Sequence, residues 1–137
     1  MIVFNDLYNL ENPVNIAVTS WICKVITKEK FKEGTINYIF CNDDYLLEKN
    51  IKYLNHSTLT DIISFDYTIG KIISGDIFIS VERVKENAKI FKTNFIDELH
   101  RVMIHGILHY CGYNDKTENE KKLMRSKEDY YLSLRKF

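Results

Sequence analysis

The segment that most constrains the fold is the apolar stretch at residues 95–111, FIDELHRVMIHGILHYC. Its hydrophobic residues recur at the spacing of one helical face, so it predicts an amphipathic helix with a core-facing side. Gly112 follows directly, and glycine commonly ends a helix because it adopts a left-handed backbone without strain. A helix this apolar has to pack against another layer of the same domain.

The remaining segments predict what that layer is. Four short stretches rich in β-branched and aromatic residues predict strands at 2–5, 35–41, 60–66 and 71–80. Gly70, between the last two, favours a hairpin. Further helices are predicted after Asn12–Pro13, after Asp43 and Asp44, after Ser80 with a break near 93–94, and over 118–135. This order predicts an α+β fold, in which a small mixed β-sheet packs against helices.

The overall composition indicates one globular domain over residues 1–137. Nineteen basic residues balance nineteen acidic ones, so net charge does not draw the chain to nucleic acid or to an anionic membrane. The three cysteines, Cys23, Cys41 and Cys111, have no disulfide-framework spacing, which favours a reduced, cytoplasmic setting. The N-terminus lacks a signal-peptide pattern, and no apolar window reaches the length of a membrane span.

The most informative motif is HGILHYCGYND at residues 105–115. His105 and His109 are four residues apart, which places both imidazoles on one helical face. Gly112 lets the chain turn back, and the turn can deliver Asp115 as a third ligand to a divalent metal ion. Three protein ligands leave a fourth position for water, which is typical of a catalytic zinc site. The alternative is that both histidines are ordinary core residues, with Gly112 a helix cap and Asp115 a turn residue.

Other residues near the motif are weaker candidates. Gly106 stands where HExxH metalloproteases carry their glutamate base, so a peptidase mechanism of that kind is not expected, and no other general base is identified. Glu98 lies on the histidine face two turns away; we expect it to be solvated, with a supporting contact to an imidazole as the alternative. Cys111 could supply a thiolate ligand, but it points to another side of the helix and a buried free thiol is expected.

Three motifs in the same order resemble the YbeY family. HGILHYCGYND resembles the signature HGxLHxxGYxH of that family, TDIISF at 60–65 resembles its TDVLSF segment, and SGDIFIS at 74–80 resembles its GDI-containing strand. CNDDYLLEKN at 41–50 is similar to the region before them. The resemblance extends over roughly residues 36–125.

The resemblance implies a single-domain α+β fold with one zinc ion per chain. It implies a cytoplasmic endoribonuclease that cleaves single-stranded RNA, matures the 3′ end of small-subunit ribosomal RNA and takes part in ribosome quality control. The implied partners are ribosomal RNA and ribosomal subunits, with ribosomal proteins or a GTPase as further possible partners. His105 and His109 match the first two metal-binding histidines of the family.

Two positions depart from the family pattern. Asp115 stands where the family has a third histidine, so the predicted metal ligands here are His105, His109 and Asp115. Leu54 stands where many relatives carry an arginine thought to contact phosphate, with Lys52 or His56 as conceivable substitutes. The leading hypothesis is a zinc-dependent endoribonuclease. The alternatives are a non-catalytic, zinc-containing ribosome-assembly factor and a metal hydrolase that acts on peptides or small molecules.

Overall fold

The computed structural model of the protein describes residues 1–10 and 16–137. In these residues it has four strands and five helices. They are β1 (Ile2–Asp6), α1 (Ile16–Lys28), β2 (Lys32–Cys41), α2 (Asp43–Leu54), β3 (Ile62–Asp66), β4 (Ile72–Ser80), α3 (Val81–Phe91), α4 (Phe95–Tyr110) and α5 (Glu118–Ser133). No helix in the described part of the chain combines the length and the hydropathy that a bilayer span requires.

The strands form one mixed sheet in the order β1-β2-β4-β3. The first three are mutually parallel, and β3 pairs antiparallel with β4, as the predicted hairpin requires. β1 is an edge strand, as its short apolar sequence predicts, and β3 forms the other edge. The predicted α+β class with a mixed sheet is therefore confirmed.

Helices cover both faces of the sheet. The main core joins α1, α4 and α5 to alternate residues of β2 and β4, and Tyr38 of β2 donates its hydroxyl hydrogen bond to the carbonyl of Met103 at 2.9 Å. A second, smaller cluster consists of Cys41, Leu46 and Ile63, with Leu46 coming from α2. Ile62 packs into the main core and Ile63 into the second cluster, so α2 lies on the sheet face opposite α4.

The placement of α4 on the sheet depends on a glycine and a tyrosine. A Cβ atom at Gly106 would lie 3.0 Å from Ile77 Cδ1 and 3.2 Å from Ile62 Cδ1, so the absent side chain permits a close helix–sheet approach. Tyr110, the last residue of α4, has its hydroxyl 2.9 Å from the carbonyl of Phe65 and 3.2 Å from that of Asp76. These contacts hold the helix against the β3–β4 pair.

Helix boundaries follow local capping chemistry. Asn94 accepts from the amide of Asp97 and begins α4 at the predicted break, and Thr117 begins α5 in a capping box with Glu120. Asn42, rather than the predicted Asp43 and Asp44, caps α2, because its side chain accepts from the amide of Tyr45. The predicted helix start at Asn12–Pro13 lies outside the described residues.

Replacing Tyr110 by phenylalanine tests how α4 is held. The substitution removes the one hydroxyl donor that the carbonyls of Phe65 and Asp76 share, so the free energy of unfolding should fall by about 1–2 kcal/mol. Urea denaturation measures this change. Tyr67→Phe is the matched control, because Tyr67 is 58% exposed and its loss should cost less than about 0.5 kcal/mol. Equal effects of the two substitutions would show that the Tyr110 hydroxyl does not support the helix.

His100 provides a test of the core around the C-terminus. Its ring is buried between Trp21 and Phe137, and its Nδ1 lies 2.8 Å from the guanidinium of Arg135. Burial, together with the charge of Arg135, lowers the pKa of His100 to about 4. Because this pKa is below the unfolded value of about 6.5, the unfolded chain binds more protons between these values, and acidification through this range should destabilise the fold. An NMR titration of the His100 ring should give a midpoint near 4; a midpoint near 6.5 would contradict this packing.

Candidate metal centre

The structure brings the three predicted metal ligands together. His105 Nε2 lies 3.0 Å from His109 Nε2 and 3.2 Å from Asp115 Oδ2, and His109 Nε2 lies 3.5 Å from Asp115 Oδ2. The three side chains are partly exposed, at 19%, 29% and 39% respectively. In the described part of the chain, this is the group of histidine, cysteine and acidic side chains whose spacing suits a metal ion.

The spacing fits a tetrahedral zinc site. Zinc–nitrogen bonds of about 2.0–2.1 Å imply ligand atoms about 3.3–3.4 Å apart at tetrahedral angles. The observed separations of 3.0, 3.2 and 3.5 Å lie around that value. Two imidazole nitrogens and one carboxylate oxygen are also a ligand set that catalytic zinc sites use. The three residues therefore fit a zinc ion, and all three line a cleft.

Local backbone structure produces this arrangement. His105 and His109 project from one face of α4, with their ring centroids 4.5 Å apart and their planes at 83°. Gly112 then adopts a φ of +99°, a left-handed conformation that favours glycine. The chain reverses there and carries Asp115 back to the histidine pair before α5 begins. The glycine is required for the turn, as the motif predicts.

A carboxylate on α5 orients the first histidine. Glu128 Oε2 lies 2.6 Å from His105 Nδ1, and the other oxygen lies 3.0 Å from the guanidinium of Arg101. Arg101 also contacts Asp129 at 2.7 Å. Because the Nδ1 proton is donated to Glu128, the Nε2 lone pair of His105 is left free for a metal ion. Glu128 is 5% exposed, so this contact is made away from bulk water.

Sequence reasoning missed Glu128. The residue belongs to a strongly charged helix and is 23 positions from His105, so no local pattern connects the two. One signal was available: Met124, Glu128 and Tyr131 share a helical face, and all three are buried. A lone glutamate on the apolar face of a charged helix indicates a buried partner, because an unpaired buried carboxylate is costly.

The two imidazoles have opposite electrostatic surroundings. Burial lowers the pKa of His105, but the hydrogen bond and charge of Glu128, together with the charges of Asp115 and Asp61, outweigh burial and raise it overall. Burial and the neighbouring His105 lower the pKa of His109, against the opposing effect of Asp115. A site where carboxylates stabilise a proton on His105 also stabilises a metal cation in its place.

A partly buried carboxylate holds the turn between His109 and Asp115. Glu29, just after α1, accepts a hydrogen bond from the hydroxyl of Tyr113 at 2.7 Å and another from Tyr131. Burial raises the pKa of Glu29, but the two tyrosines and Lys127 outweigh it and lower the pKa overall. Tyr113 lies between His109 and Asp115, so this contact ties the ligand-bearing turn to α1 and α5.

The metal cluster opens into a cleft of about 420 Å³ between β3, α4 and α5. Glu98 lines this cleft and is 4% exposed, so the expectation that it is solvated is wrong. The reason is that its helical face, shared with His105, is turned toward β3 and α5 rather than toward solvent. Asp61 also lines the cleft, and burial raises the pKa of both carboxyl groups.

The other candidates lie away from the ligands. Cys111 lies outside the cluster and is a free thiol, as predicted, although it is half-buried rather than buried. Burial raises the pKa of this thiol to about 12. His100 packs in the core, and His56 is exposed in the loop after α2. Leu54 ends α2, is 42% exposed and is not part of the cleft wall.

Comparisons with known proteins agree with this geometry. The family model described as "Endoribonuclease YbeY" matches residues 6–135. A Flavobacterium johnsoniae protein named endoribonuclease YbeY is 57% identical over 136 residues, which cover 98% of this chain and 96% of that protein. A Flavobacterium psychrophilum protein of the same name is 58% identical over 134 residues, with the same two coverages.

The fold has a counterpart among solved structures. The solution structure of TM1509 from Thermotoga maritima superposes with a TM-score of 0.67 at 27% sequence identity, covering 97% of this chain and 87% of that one. The family model spans most of the chain, and the two relatives are identical to it at more than half of the aligned positions. The resemblance seen in the three sequence motifs is therefore confirmed, and the chain belongs to the endoribonuclease YbeY family.

Proposed function

We propose that this protein is a zinc-dependent endoribonuclease that cleaves single-stranded RNA, with His105, His109 and Asp115 as the ligands of one zinc ion per chain. The observation that carries the proposal is the spacing of the three ligand atoms at the mouth of a cleft. The relatives that are more than half identical are named endoribonucleases, which supports the reaction type.

The side chains divide into those that bind the ion and those that hold the ligands in place. Bound at this site, zinc would supply positive charge to a scissile phosphate and to an attacking water. Of the three ligands only the carboxylate is charged, so it would neutralise one of the two positive charges of the zinc ion. Glu128 keeps His105 in the tautomer that presents Nε2, and the Gly112 turn keeps Asp115 within reach.

The charge of the cleft is mixed. Asp61, Glu98 and Glu128 line it together with Arg101 and Arg125, in addition to the ligands. Burial raises the pKa of Asp61 and of Glu98, because it penalises the charged form of each carboxyl group. A zinc ion bound here, together with Arg101 and Arg125, would offset these carboxylates and would offer local positive charge to a phosphate of an RNA backbone. The carboxylates, the zero net charge of the chain and Leu54 at the family arginine position favour the non-catalytic assembly factor instead.

The cellular role belongs to the same proposal. The family resemblance supports maturation of the 3′ end of small-subunit ribosomal RNA and a part in ribosome quality control. It also supports a cytoplasmic location, ribosomal subunits as partners, and ribosomal proteins or a GTPase as further partners. The family match over residues 6–135 and the 96% coverage of the two relatives support a single domain over 1–137.

Cleavage of a single-stranded RNA that carries the small-subunit 3′ precursor tests the proposal. His109→Ala should lower the cleavage rate by more than about a hundredfold, because it removes a ligand of the ion. A chelator should abolish cleavage by the wild type, and added zinc should restore it. His56→Ala is the matched control, since His56 is exposed and belongs neither to the metal cluster nor to the cleft wall. It should leave the rate unchanged, and a lower rate would instead assign to His56 the role of the missing family arginine.

Two results would contradict the endoribonuclease proposal. One is equal cleavage by the wild type and His109→Ala, which indicates a contaminating nuclease. The other is a folded, zinc-loaded wild type that binds ribosomal subunits but does not cut RNA, which favours the assembly factor. Protease activity on a denatured protein would support the alternative hypothesis of a metal hydrolase that acts on peptides.

Substitution of Glu128 tests the support of His105. Glu128→Gln should weaken zinc affinity about 10–100-fold, because the amide no longer fixes the imidazole as a carboxylate does. Competition with a chromophoric chelator measures this affinity. Asp129→Asn is the matched control: Asp129 shares Arg101 with Glu128 but does not contact His105. Equal losses in the two variants would assign the effect to Arg101 and contradict a direct role for Glu128.

A further inference from the structure

A second groove adjoins the metal cluster on its α5 side. It has a volume of about 270 Å³, and its walls are His105, Asp115, Lys121, Met124, Arg125 and Glu128. Four of these residues also line the main cleft: His105, Asp115, Arg125 and Glu128. The metal cluster is therefore open on two sides, and Arg125 stands where the two openings meet.

The two guanidinium groups of the cleft differ in their freedom to bind a ligand. Arg101 is engaged by Glu128 at 3.0 Å and by Asp129 at 2.7 Å, with only 16% of its side chain exposed. Arg125 lies 3.9 Å from Glu128, at the limit of an ion pair, and 54% of its side chain is exposed. Glu128 is already occupied by His105 and Arg101, so Arg125 keeps most of its hydrogen-bonding capacity for a ligand.

Lys121 adds a second cation beside Arg125. It precedes Arg125 by four residues on α5, so both side chains project from the same helical face. Within residues 1–10 and 16–137, no acidic side chain pairs with Lys121. Two like charges one helical turn apart repel each other, and an anion bound between them removes that cost. Both cations lie on the wall that also carries Asp115 and His105.

From this placement we infer that Arg125 and Lys121 form a phosphate-binding ridge for single-stranded RNA. The RNA backbone runs from the main cleft, past the metal cluster, into the α5 groove. The ridge binds the phosphate next to the scissile phosphate. The two residues bind substrate and do not contact the reacting atoms. The groove carboxylates do not oppose this, because Asp115 contacts the two histidines and Glu128 is paired with His105 and Arg101. The inference rests on the proposed function, since it assumes an RNA substrate.

The salt dependence of RNA binding tests the ridge. The probe is a fluorescein-labelled, single-stranded 2′-O-methyl RNA. It is titrated with zinc-loaded protein, and binding is followed by fluorescence anisotropy. A denaturing gel checks that the RNA remains intact. Arg125→Gln should weaken binding roughly tenfold and reduce the slope of log K against log salt by about 0.7, the loss of one phosphate contact on a single strand. Arg125→Lys should keep the slope, and Lys121→Gln should lower it as Arg125→Gln does.

Lys122→Gln is the matched control, because Lys122 is an exposed neighbour on α5 that lines neither opening. It should leave the slope unchanged. In cleavage assays, Arg125→Gln should raise KM with little change in kcat, as expected for a contact made equally in ground and transition states. Zinc content should remain at one per chain, which separates a lost phosphate contact from a damaged metal site.

The outcomes separate the ridge from the proposed function. Suppose that the wild type binds and cuts RNA, and that Arg125→Gln and Lys121→Gln have the same affinity and the same salt slope as the wild type. That result contradicts the ridge and leaves the endoribonuclease proposal intact. If Lys122→Gln reduces the slope as much as Arg125→Gln, general charge is responsible and the ridge is again overturned. If the zinc-loaded wild type neither binds nor cuts RNA, both are overturned together.

Discussion

The close packing of α4 on the mixed sheet is the constraint from which the site follows. Gly106 lets the helix approach Ile77 and Ile62, and Tyr110 anchors its end to the carbonyls of β3 and β4. One face of the helix is committed to the core, so the adjacent face must carry His105 and His109 into the cleft between β3 and α5. Gly106 serves packing at the position where a metalloprotease of the HExxH class needs an acid–base group.

Two carboxylates, the buried Glu128 and the partly buried Glu29, connect this helix to its neighbours. Glu128 links α5 to His105 and Arg101, and Glu29 links the end of α1 to Tyr113 in the turn between the ligands. Each carboxylate is stabilised by donors rather than left isolated, which is the condition for burying charge at tolerable cost. Because these partners come from α1, α4, α5 and the turn after α4, the positions of His105, His109 and Asp115 depend on the packing of the fold.

Sequence reasoning recovered the parts of this arrangement that are local. The α4 pattern, the break at Asn94, the Gly112 turn and the convergence of His105, His109 and Asp115 are all encoded within short windows, where spacing translates directly into geometry. The burial of Glu98 and the role of Glu128 were not recovered, because each depends on which helix packs against the histidine face. The predicted cap of α2 was wrong by one residue for a different reason. Asn42, Asp43 and Asp44 are adjacent and all have side chains that can cap a helix, and in the structure the backbone of Asn42 has the extended conformation of a cap residue.

X-ray absorption spectroscopy at the zinc edge of the purified protein tests the central claim most directly. The account predicts one zinc per chain bound only by nitrogen and oxygen, with two imidazoles at about 2.0–2.1 Å. His109→Ala should remove one imidazole contribution from the spectrum. A sulfur scatterer at about 2.3 Å would implicate a cysteine such as Cys111. That result, or a protein that binds no zinc at all, would contradict the assignment of His105, His109 and Asp115 as the metal centre.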